Sequence, residues 1–569
     1  MNAAVKMHDA ATDGASLPGL VLARALAEPA RTILRAKRLG VWKETDGATL
    51  TRNVADCVAG LAAIGMKPGE TAGILAAPCP EWLICDLAIQ SAGAVSAGFH
   101  AEGAPGELEA LVARCKARVL IVDTLSALDT ALDLRDALPG IETIVCFDAV
   151  AVAETGDRHV ISFDSLLQNG AKASNRADAP WRASSGGALA AIIPTSGLSA
   201  PSKAAQFTHD ALRAAVEGAL SLVDLRAGED RLALMPASHA FERVFGLYAC
   251  LAAGVIVNFP ESEETVGDNL HELQPQVISG SPALWSGFAR SLSRASASAT
   301  RMQQRMFKSA MRGSGVFGAL ILRKVRRDYG LSRARIALSA GAPLSPDVSQ
   351  NIAALGVPVQ DVYAVTEAAG AVGIADARPR EFALARGASF EIASDGSLRL
   401  RSAALCASFA GETGRADETL ETGDLAEARG AGFALQGPRD AAVGAHSAWP
   451  VEDALTASPY ILAAIVNGET RDRLSAVIFA DYDNVVQHAQ AKSIPFTHYK
   501  SLMEADEIRA LIGAEVARAT QALGDARITD LTIADRPFGP GDPLLGPAMN
   551  LRRRLVLKSF SAQGSPQAS

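Results

Sequence analysis

The 569-residue chain is poor in several things, and each shortage argues against a class of protein. Its seven cysteines (Cys57, Cys79, Cys85, Cys115, Cys146, Cys250 and Cys406) are odd in number, scattered, and form no C-x-x-C pair. A disulfide framework or a cysteine zinc site is not expected, and a reducing, cytoplasmic setting is. Positive charge is also short: 54 lysines and arginines face 62 acids, for a formal charge of −8. That balance argues against a dedicated nucleic-acid binder while leaving room for a local basic patch. The apolar, uncharged stretch Val244 to Pro260 is marginal against the roughly 20 apolar residues of a membrane helix, and Gly246 and Gly254 interrupt it. It reads as a buried helix running into a buried strand. The first residues carry acids and a glycine where a signal peptide needs an apolar core, so a soluble protein is expected.

What the chain does have is 49% hydrophobic residues and 49 glycines against 5% aromatics, the texture of an Ala/Gly-rich α/β enzyme. At roughly 100–200 residues per domain its length predicts several packed units. Gly69–Leu75 reads as a turn into a strand, Glu81–Gly93 as a helix, and Val119–Val122 as a short buried strand. That alternation implies a parallel sheet covered on both faces, and it resumes from Ala188 to about Tyr363. After Arg386 come short hairpins: Phe390–Ala393 and Leu398–Arg401 around Asp395-Gly396, then Ala426–Leu435. Beyond Gly437-Pro438 a small α/β unit is expected, with a strand at Ala476–Phe479. Between Ser293 and Arg327 lies a helical stretch rich in arginine, serine and methionine. It is open to two readings, a solvated excursion from the core or a patch for acidic lipid head groups or an anionic substrate tail.

The first segment with chemical content is Ile192–Lys203, a strand running into the small-residue loop Thr195-Ser196-Gly197-Leu198-Ser199-Ala200-Pro201-Ser202-Lys203. Small residues let backbone N–H groups approach phosphate oxygens, hydroxyls add donors, and a lysine adds charge. Downstream follow Met235-Pro-Ala-Ser-His239-Ala-Phe-Glu242-Arg243, Leu338-Ser-Ala-Gly341-Ala342-Pro343, Tyr363-Ala-Val-Thr366-Glu367, Glu421-Thr-Gly-Asp424 and Asn550-Leu-Arg552-Arg553. In this order and spacing, from Gly65 to about Phe560, the chain resembles the adenylate-forming superfamily, specifically the long-chain acyl-CoA synthetases.

The resemblance implies a large N-terminal multi-sheet α/β adenylation domain (1–435) and a smaller, mobile C-terminal α/β domain (436–569). It implies ATP, Mg²⁺ and coenzyme A acting on a fatty or other hydrophobic acid. Carboxylate attack on the α-phosphate brings two anions together, so cations and N–H donors must neutralise charge. By resemblance Thr195, Ser196, Gly197 and Lys203 belong to the phosphate loop, and Glu367 holds the metal. Thr366 touches phosphate, Tyr363 and Gly341-Ala342-Pro343 enclose adenine, Asp424 accepts the ribose hydroxyls, and His239 sits beside the acyl-adenylate carbonyl. Ala237–Gly254 is expected to line an acyl tunnel, with Phe241, Phe245 and Leu247 as wall residues; the alternative is that they only fill the core. Plain readings stand beside each assignment: Glu367 a surface acid, His239 a core histidine, Asp424 a turn residue, Glu242 and Arg243 an ion pair at a helix start.

The chain departs from the family pattern in three places. In the phosphate loop Leu198 replaces a hydroxyl donor and Ala200 and Ala204 replace glycines; losing one donor to a transferring phosphoryl group costs about 3 kcal/mol in related sites. At the hinge Pro438 takes the slot of a ribose-contacting arginine, with Arg439 as the substitute if the register slips by one, and the segment to Pro450 is short. In the last motif Asn550 stands where a lysine reaches the carboxylate and α-phosphate, an exchange that removes a charge; Lys558 lies eight residues on. Two functions follow: an impaired acyl-CoA synthetase, or a pseudoenzyme that binds nucleotide, acyl chain or partner without turnover. No nucleic acid is expected, and the basic stretch leaves peripheral membrane contact open.

Overall fold

A computed structural model describes residues 16–561, apart from 101–104, 175, 183, 196–201, 314, 376–379, 413–417, 444–445, 522, 525, 540–541 and 547–549. Two sheets form the large unit. The first has eight strands, and its centre is built from β1 (Thr71–Leu75), α1 (Pro80–Ser91), β2 (Val95–Gly98), α2 (Pro105–Cys115), β3 (Ala117–Val122), β4 (Leu189–Pro194) and β5 (Ala204–Thr208). In space the strands run β5-β4-β2-β1-β3, parallel except for the β4–β5 pair. All five residues of β1 are buried, as expected of a strand covered on both faces.

The second sheet has thirteen strands. Its parallel part comprises β6 (Asp230–Leu232), β7 (Ile256–Phe259) and β8 (Val277–Gly280), with helix α3 (Glu242–Ala249), of π geometry, between β6 and β7. Three helices, α4 (Pro282–Ser298), α5 (Arg301–Met311) and α6 (Gly315–Asp328), then make an excursion before the chain returns as β9 (Ile336–Ala340) and β10 (Gln360–Val365). From β10 the sheet turns antiparallel through β11 (Gly370–Ala375) and β12 (Glu381–Leu384). The hairpin of β13 (Ala388–Ile392) and β14 (Ser397–Ser402), and that of β15 (Leu420–Arg429) and β16 (Gly432–Pro438), extend it at this end, and the N-terminal strands Thr32–Arg38 and Val41–Asp46 complete the other edge beside β7. The first hairpin lies where Asp395-Gly396 placed it, and the second spans the expected Ala426–Leu435.

The second antiparallel hairpin runs on to Pro438, and the core of the small unit begins at Ala441. That unit carries β17 (Ile461–Thr470), β18 (Arg473–Ala480) and β19 (Ile528–Ile533), and ends in helix α7 (Arg553–Ser561). No described helix is long and apolar enough to cross a membrane.

Helix α3 lies between the two sheets, and two ion pairs with fully buried side chains hold it there. Glu242 takes Arg231 of β6 at 2.5 Å, and that guanidinium also donates to Ser279 of β8 at 2.9 Å. Arg243 reaches the other way, to Asp86 of α1 and to the Ile192 carbonyl of β4 at 3.2 Å. Ser96, Gln90 and Tyr248 donate to the same aspartate at 2.6, 3.0 and 2.5 Å. Glu242 and Arg243 therefore do not pair with each other. Consecutive residues on a helix point about 100° apart, and each side chain meets the sheet it faces.

Candidate functional site

A set of perturbed acids lies where β10 ends. The chain leaves β10 through the short turn Thr366–Ala368, with Ala369 in the left-handed region (φ 54) and Gly370 at φ 112. A Cβ at Gly370 would sit 3.1 Å from the Ala240 carbonyl oxygen. A non-glycine residue held at positive φ is a local strain that packing must impose. Here it turns Glu367 out of the strand. Burial raises the Glu367 pKa against the opposing pull of the Lys203 charge.

Across the sheet, Tyr363 donates its hydroxyl to Asp424 Oδ2 at 2.6 Å. Burial pushes Asp424 up to about 6, with Asp440 and Glu367 adding repulsion and the Tyr363 hydroxyl opposing. Asp440 brings a buried carboxylate oxygen, Oδ2, that finds no hydrogen-bond partner among the described residues. Three acids thus share one locality with a single lysine. Clustered, desolvated carboxylates of this kind call for a cation or hydroxyl donors from a ligand.

Beside them runs Gly341-Ala342-Pro343, just after β9. Gly341 adopts φ 104, and its carbonyl accepts the side-chain amide of Asn550 at 2.9 Å. The next residue, Leu344, donates its N–H to the buried Asp361 at 3.0 Å, and burial pushes that acid up to about 7. The small unit therefore closes over this loop, with Asn550 as the contacting residue. Arg380 to Asp453 at 2.6 Å, Arg294 to Asp483 at 2.8 Å and Arg552 to Glu107 at 2.7 Å hold the same closure.

The phosphate-loop candidates are only partly within the described residues; Ser196, Gly197, Leu198 and Ala200 fall outside them. Its two ends are described and meet: Thr195 N–H donates to the Lys203 carbonyl at 2.8 Å, and Lys203 N–H to Thr195 Oγ1 at 2.9 Å. The Lys203 ammonium, half exposed, pairs with Glu412 at 3.2 Å and lies 4.7 Å from the centre of the Phe409 ring. Ser202 donates to Glu107 at 2.5 Å, so the acid that holds Arg552 also holds the loop.

A cavity of about 360 Å³ opens beside the loop, lined among others by Phe99, His100, Thr195, Met235, Ser238 and Arg552. His100 Nδ1 and Ser238 Oγ share a hydrogen bond of 2.8 Å. Burial lowers the His100 pKa to about 3, with His239 and Arg552 adding to the effect, and burial alone lowers His239 to about 4. Both imidazoles are neutral at working pH. His239 Nδ1 is enclosed without a hydrogen-bond partner among the described residues.

The AMP-binding enzyme family model matches residues 23–389. The chain belongs to that family. The long-chain-fatty-acid–CoA ligase FadD15 of Mycobacterium bovis is 24% identical over 563 residues, covering 92% of each chain. The long-chain-fatty-acid–CoA ligase ACSBG2 of Xenopus laevis is 21% identical over 400 residues, covering 65% of this chain and 54% of its own. Among solved structures, the adenylation domain of a carboxylate reductase from Mycobacterium chelonae superposes with a TM-score of 0.78 at 18% identity, covering 98% of this chain and 91% of that one. The adenylation domain of a carboxylic acid reductase from Segniliparus rugosus, in complex with AMP and a co-purified carboxylic acid, gives 0.79 at 16% identity, covering 96% and 93%.

For an AMP-binding enzyme, the structure brings Tyr363, Thr366, Glu367, Asp424, Gly341 and Asn550 into one site. It does not bring Arg439 there. Pro438 lies opposite Asp424 in the strand pair, and Arg439 turns away to Asp395 at 2.8 Å and to Ser397. The one-residue register slip does not occur, because Pro438 is itself the last residue of β16. The acyl-wall expectation also needs correction. Phe241, Phe245 and Leu247 are fully buried in the main core, the two rings stacked at 5.0 Å, and none lines the cavity described above. The helix is enclosed by two sheets, so apolar residues all round it serve packing. Lys558 is exposed on α7 with no ion pair among the described residues.

Sequence reasoning missed His100, Glu107, Asp86, Arg231 and Tyr248. One signal was available for Asp86: an acid within the otherwise apolar Trp82–Ile89 run has to be paired if that helix is buried. For His100 and Glu107 there was none, since their partners lie 138 and 445 residues away.

Proposed function

We propose that the chain activates a hydrophobic carboxylic acid, a fatty acid foremost, as its acyl-adenylate at this site, and passes the acyl group on to coenzyme A. The observation that carries the reading is the closure of the small unit over Gly341 beside Tyr363, Asp424 and Glu367. In the first step a carboxylate oxygen attacks the α-phosphorus of ATP and the bond to the β-phosphate oxygen breaks. Pyrophosphate leaves and the mixed anhydride with AMP remains. In the second, the thiol of coenzyme A attacks the acyl carbon and AMP leaves.

Each side chain has a task in that scheme. The Asp424 carboxylate accepts ribose hydroxyls, with Tyr363 fixing its orientation and closing the adenine side. Glu367 and the neighbouring Thr366 hydroxyl face the phosphates, and Lys203 supplies the one mobile positive charge on the loop. The donor set suits Mg²⁺, which keeps few protein ligands and takes most of its shell from phosphate oxygens and water. One exposed edge of Glu367 is enough, and no larger metal-ligating group stands among the described residues. Bound with ATP, the ion would neutralise charge at the transferring phosphate. His239, neutral, presents imidazole to the acyl-adenylate without adding charge.

Asn550 favours a second reading. It occupies the contact point with Gly341 but brings a neutral amide, so the first step lacks a fixed cation. Turnover is then slow or absent, and the chain acts as a nucleotide and acyl binder. ATP–pyrophosphate exchange across a panel of fatty acids, followed by detection of coenzyme A thioester, separates the readings. Exchange with thioester supports the ligase, and exchange alone supports adenylation without transfer. Neither, with AMP still bound, supports the binder.

A further inference from the structure

Residues 273–327 contain no acid and ten lysines and arginines, in a chain of net charge −8. The segment takes in β8 and the three-helix excursion that follows it, and its charges divide by use. Arg290 and Arg294 on α4 face Asp481 and Asp483 of the small unit at 3.6 and 2.8 Å. On α6, Lys324 pairs with Asp328 at 2.9 Å and Arg326 donates to the Leu355 carbonyl at 2.5 Å, while Arg323 and Arg327 are exposed. The three on α5 and the arginine that caps its C-terminus have no such use. Arg301, Arg305, Lys308 and Arg312 are all exposed and make no ion pair among the described residues.

Their spacing of four, three and four sets them in one stripe along α5. Beside the stripe stand Met302, 70% exposed, and Met306, 46% exposed; Leu320 of the adjacent α6 is 56% exposed. The opposite face is the one that packs: Phe307 and Met311 join Leu322 and Val325 against the core around Trp285. The helix is well formed at its start by a reciprocal Thr300–Gln303 cap. Like charges three and four residues apart oppose the helix they sit on, and exposed thioethers gain nothing from water. Both features are relieved by one kind of surface, anionic on its outside and apolar just beneath.

We propose that this face of α5, with Leu320, docks on a bilayer containing anionic lipid. The basic stripe lies against the phosphates, and Met302, Met306 and Leu320 reach below the head groups. A nucleic acid answers the charge but not the exposed apolar side chains, so the bilayer is the occupant the surface fits. The inference is independent of turnover, because none of these residues belongs to the nucleotide site.

The test is co-sedimentation of the full chain with phosphatidylcholine vesicles, with and without phosphatidylglycerol. Binding should require phosphatidylglycerol and weaken with salt. Arg301→Gln, Arg305→Gln, Lys308→Gln and Arg312→Gln should each lower the partition coefficient about fivefold. The pair Met302→Ser and Met306→Ser should lower it further at unchanged charge. As a positive readout, Met306→Trp should show a blue-shifted emission on vesicle addition and quenching by lipids brominated on the acyl chain. Absence of phosphatidylglycerol-dependent binding, or binding indifferent to the arginine and lysine changes, overturns the proposal. So does a single-stranded oligonucleotide that binds with the same dependence on the basic stripe while the methionine pair has no effect. The altered side chains are solvent-exposed, and thermal melts of each variant confirm that the fold is intact.

Discussion

Replacing Arg243 by methionine isolates the bond that locks α3 to the first sheet. The change keeps most of the side-chain length and removes the charge, leaving Asp86 with no exposure and no cation. Removing one partner of a buried ion pair costs about 3–5 kcal/mol, because the other charge stays buried and unpaired. Asp86 keeps hydrogen bonds from Ser96, Gln90 and Tyr248, which places the loss near the lower end, about 3 kcal/mol. Against a total stability of about 5–15 kcal/mol that is a large shift. Urea unfolding followed by tryptophan fluorescence is the assay, since buried Trp82 lies 5.4 Å from the Arg243 guanidinium and reports on this region. Adding Asp86→Asn to the variant should recover at least half of the loss by removing the stranded charge. A single variant within about 1 kcal/mol of wild type, or a double variant no better than the single, refutes the charge argument. The role of Arg243 would then be its packing against Trp82.

Glu107→Gln should weaken the grip on Arg552 and on Ser202 together, and speed proteolytic cleavage near 436–441, read by limited trypsin digestion with and without AMP. Nucleotide affinity should follow Asp424: the carboxylate form accepts the ribose, so AMP binding is full above about 6 and is lost as pH falls through that value, while Asp424→Asn flattens the profile in calorimetry. Asn550→Lys should raise the adenylation rate more than the thioester-forming rate in single turnover, with transition-state gains of up to about 3 kcal/mol. Chelating Mg²⁺ should weaken ATP binding at least tenfold, about 1.4 kcal/mol, and leave AMP nearly unaffected, because the described acids outnumber the one loop lysine.

Much of the architecture was legible because the patterns were local. Val244–Pro260 reads as a helix into a strand from its own apolar run, and it folds so, as α3 followed by β7. Asp395-Gly396 announces its hairpin because the turn needs a residue at positive φ, and Gly396 has φ 81. What hydrophobicity cannot reveal is what a buried helix faces. Phe241, Phe245 and Leu247 are as apolar as tunnel walls and as apolar as core, and only the two enclosing sheets decide between them. The same blindness hid Arg231, which looks like a surface residue until α3 is seen to need an anchor on each side.

At the site, motif order located residues well and their working contacts poorly. Tyr363 and Asp424 were named for separate tasks, yet they form one unit through a 2.6 Å hydrogen bond. Arg439 was named for the ribose by a register argument that the strand pairing of Pro438 overrules. The departures from the family pattern also change meaning once placed. Pro438 and Asn550 are not isolated losses of charge: they stand on the rim of the locality that also holds Glu367, Asp424 and the Asp440 oxygen without a partner among the described residues. Withdrawing two cations from such a rim leaves the acids to be balanced by what binds. Burial has already raised Asp424 and Glu367 toward neutrality, the response expected of carboxylates short of positive charge. On the proposed function, nucleotide recognition rests on Tyr363 and Asp424, and the charge that drives the first step would have to arrive with the substrate.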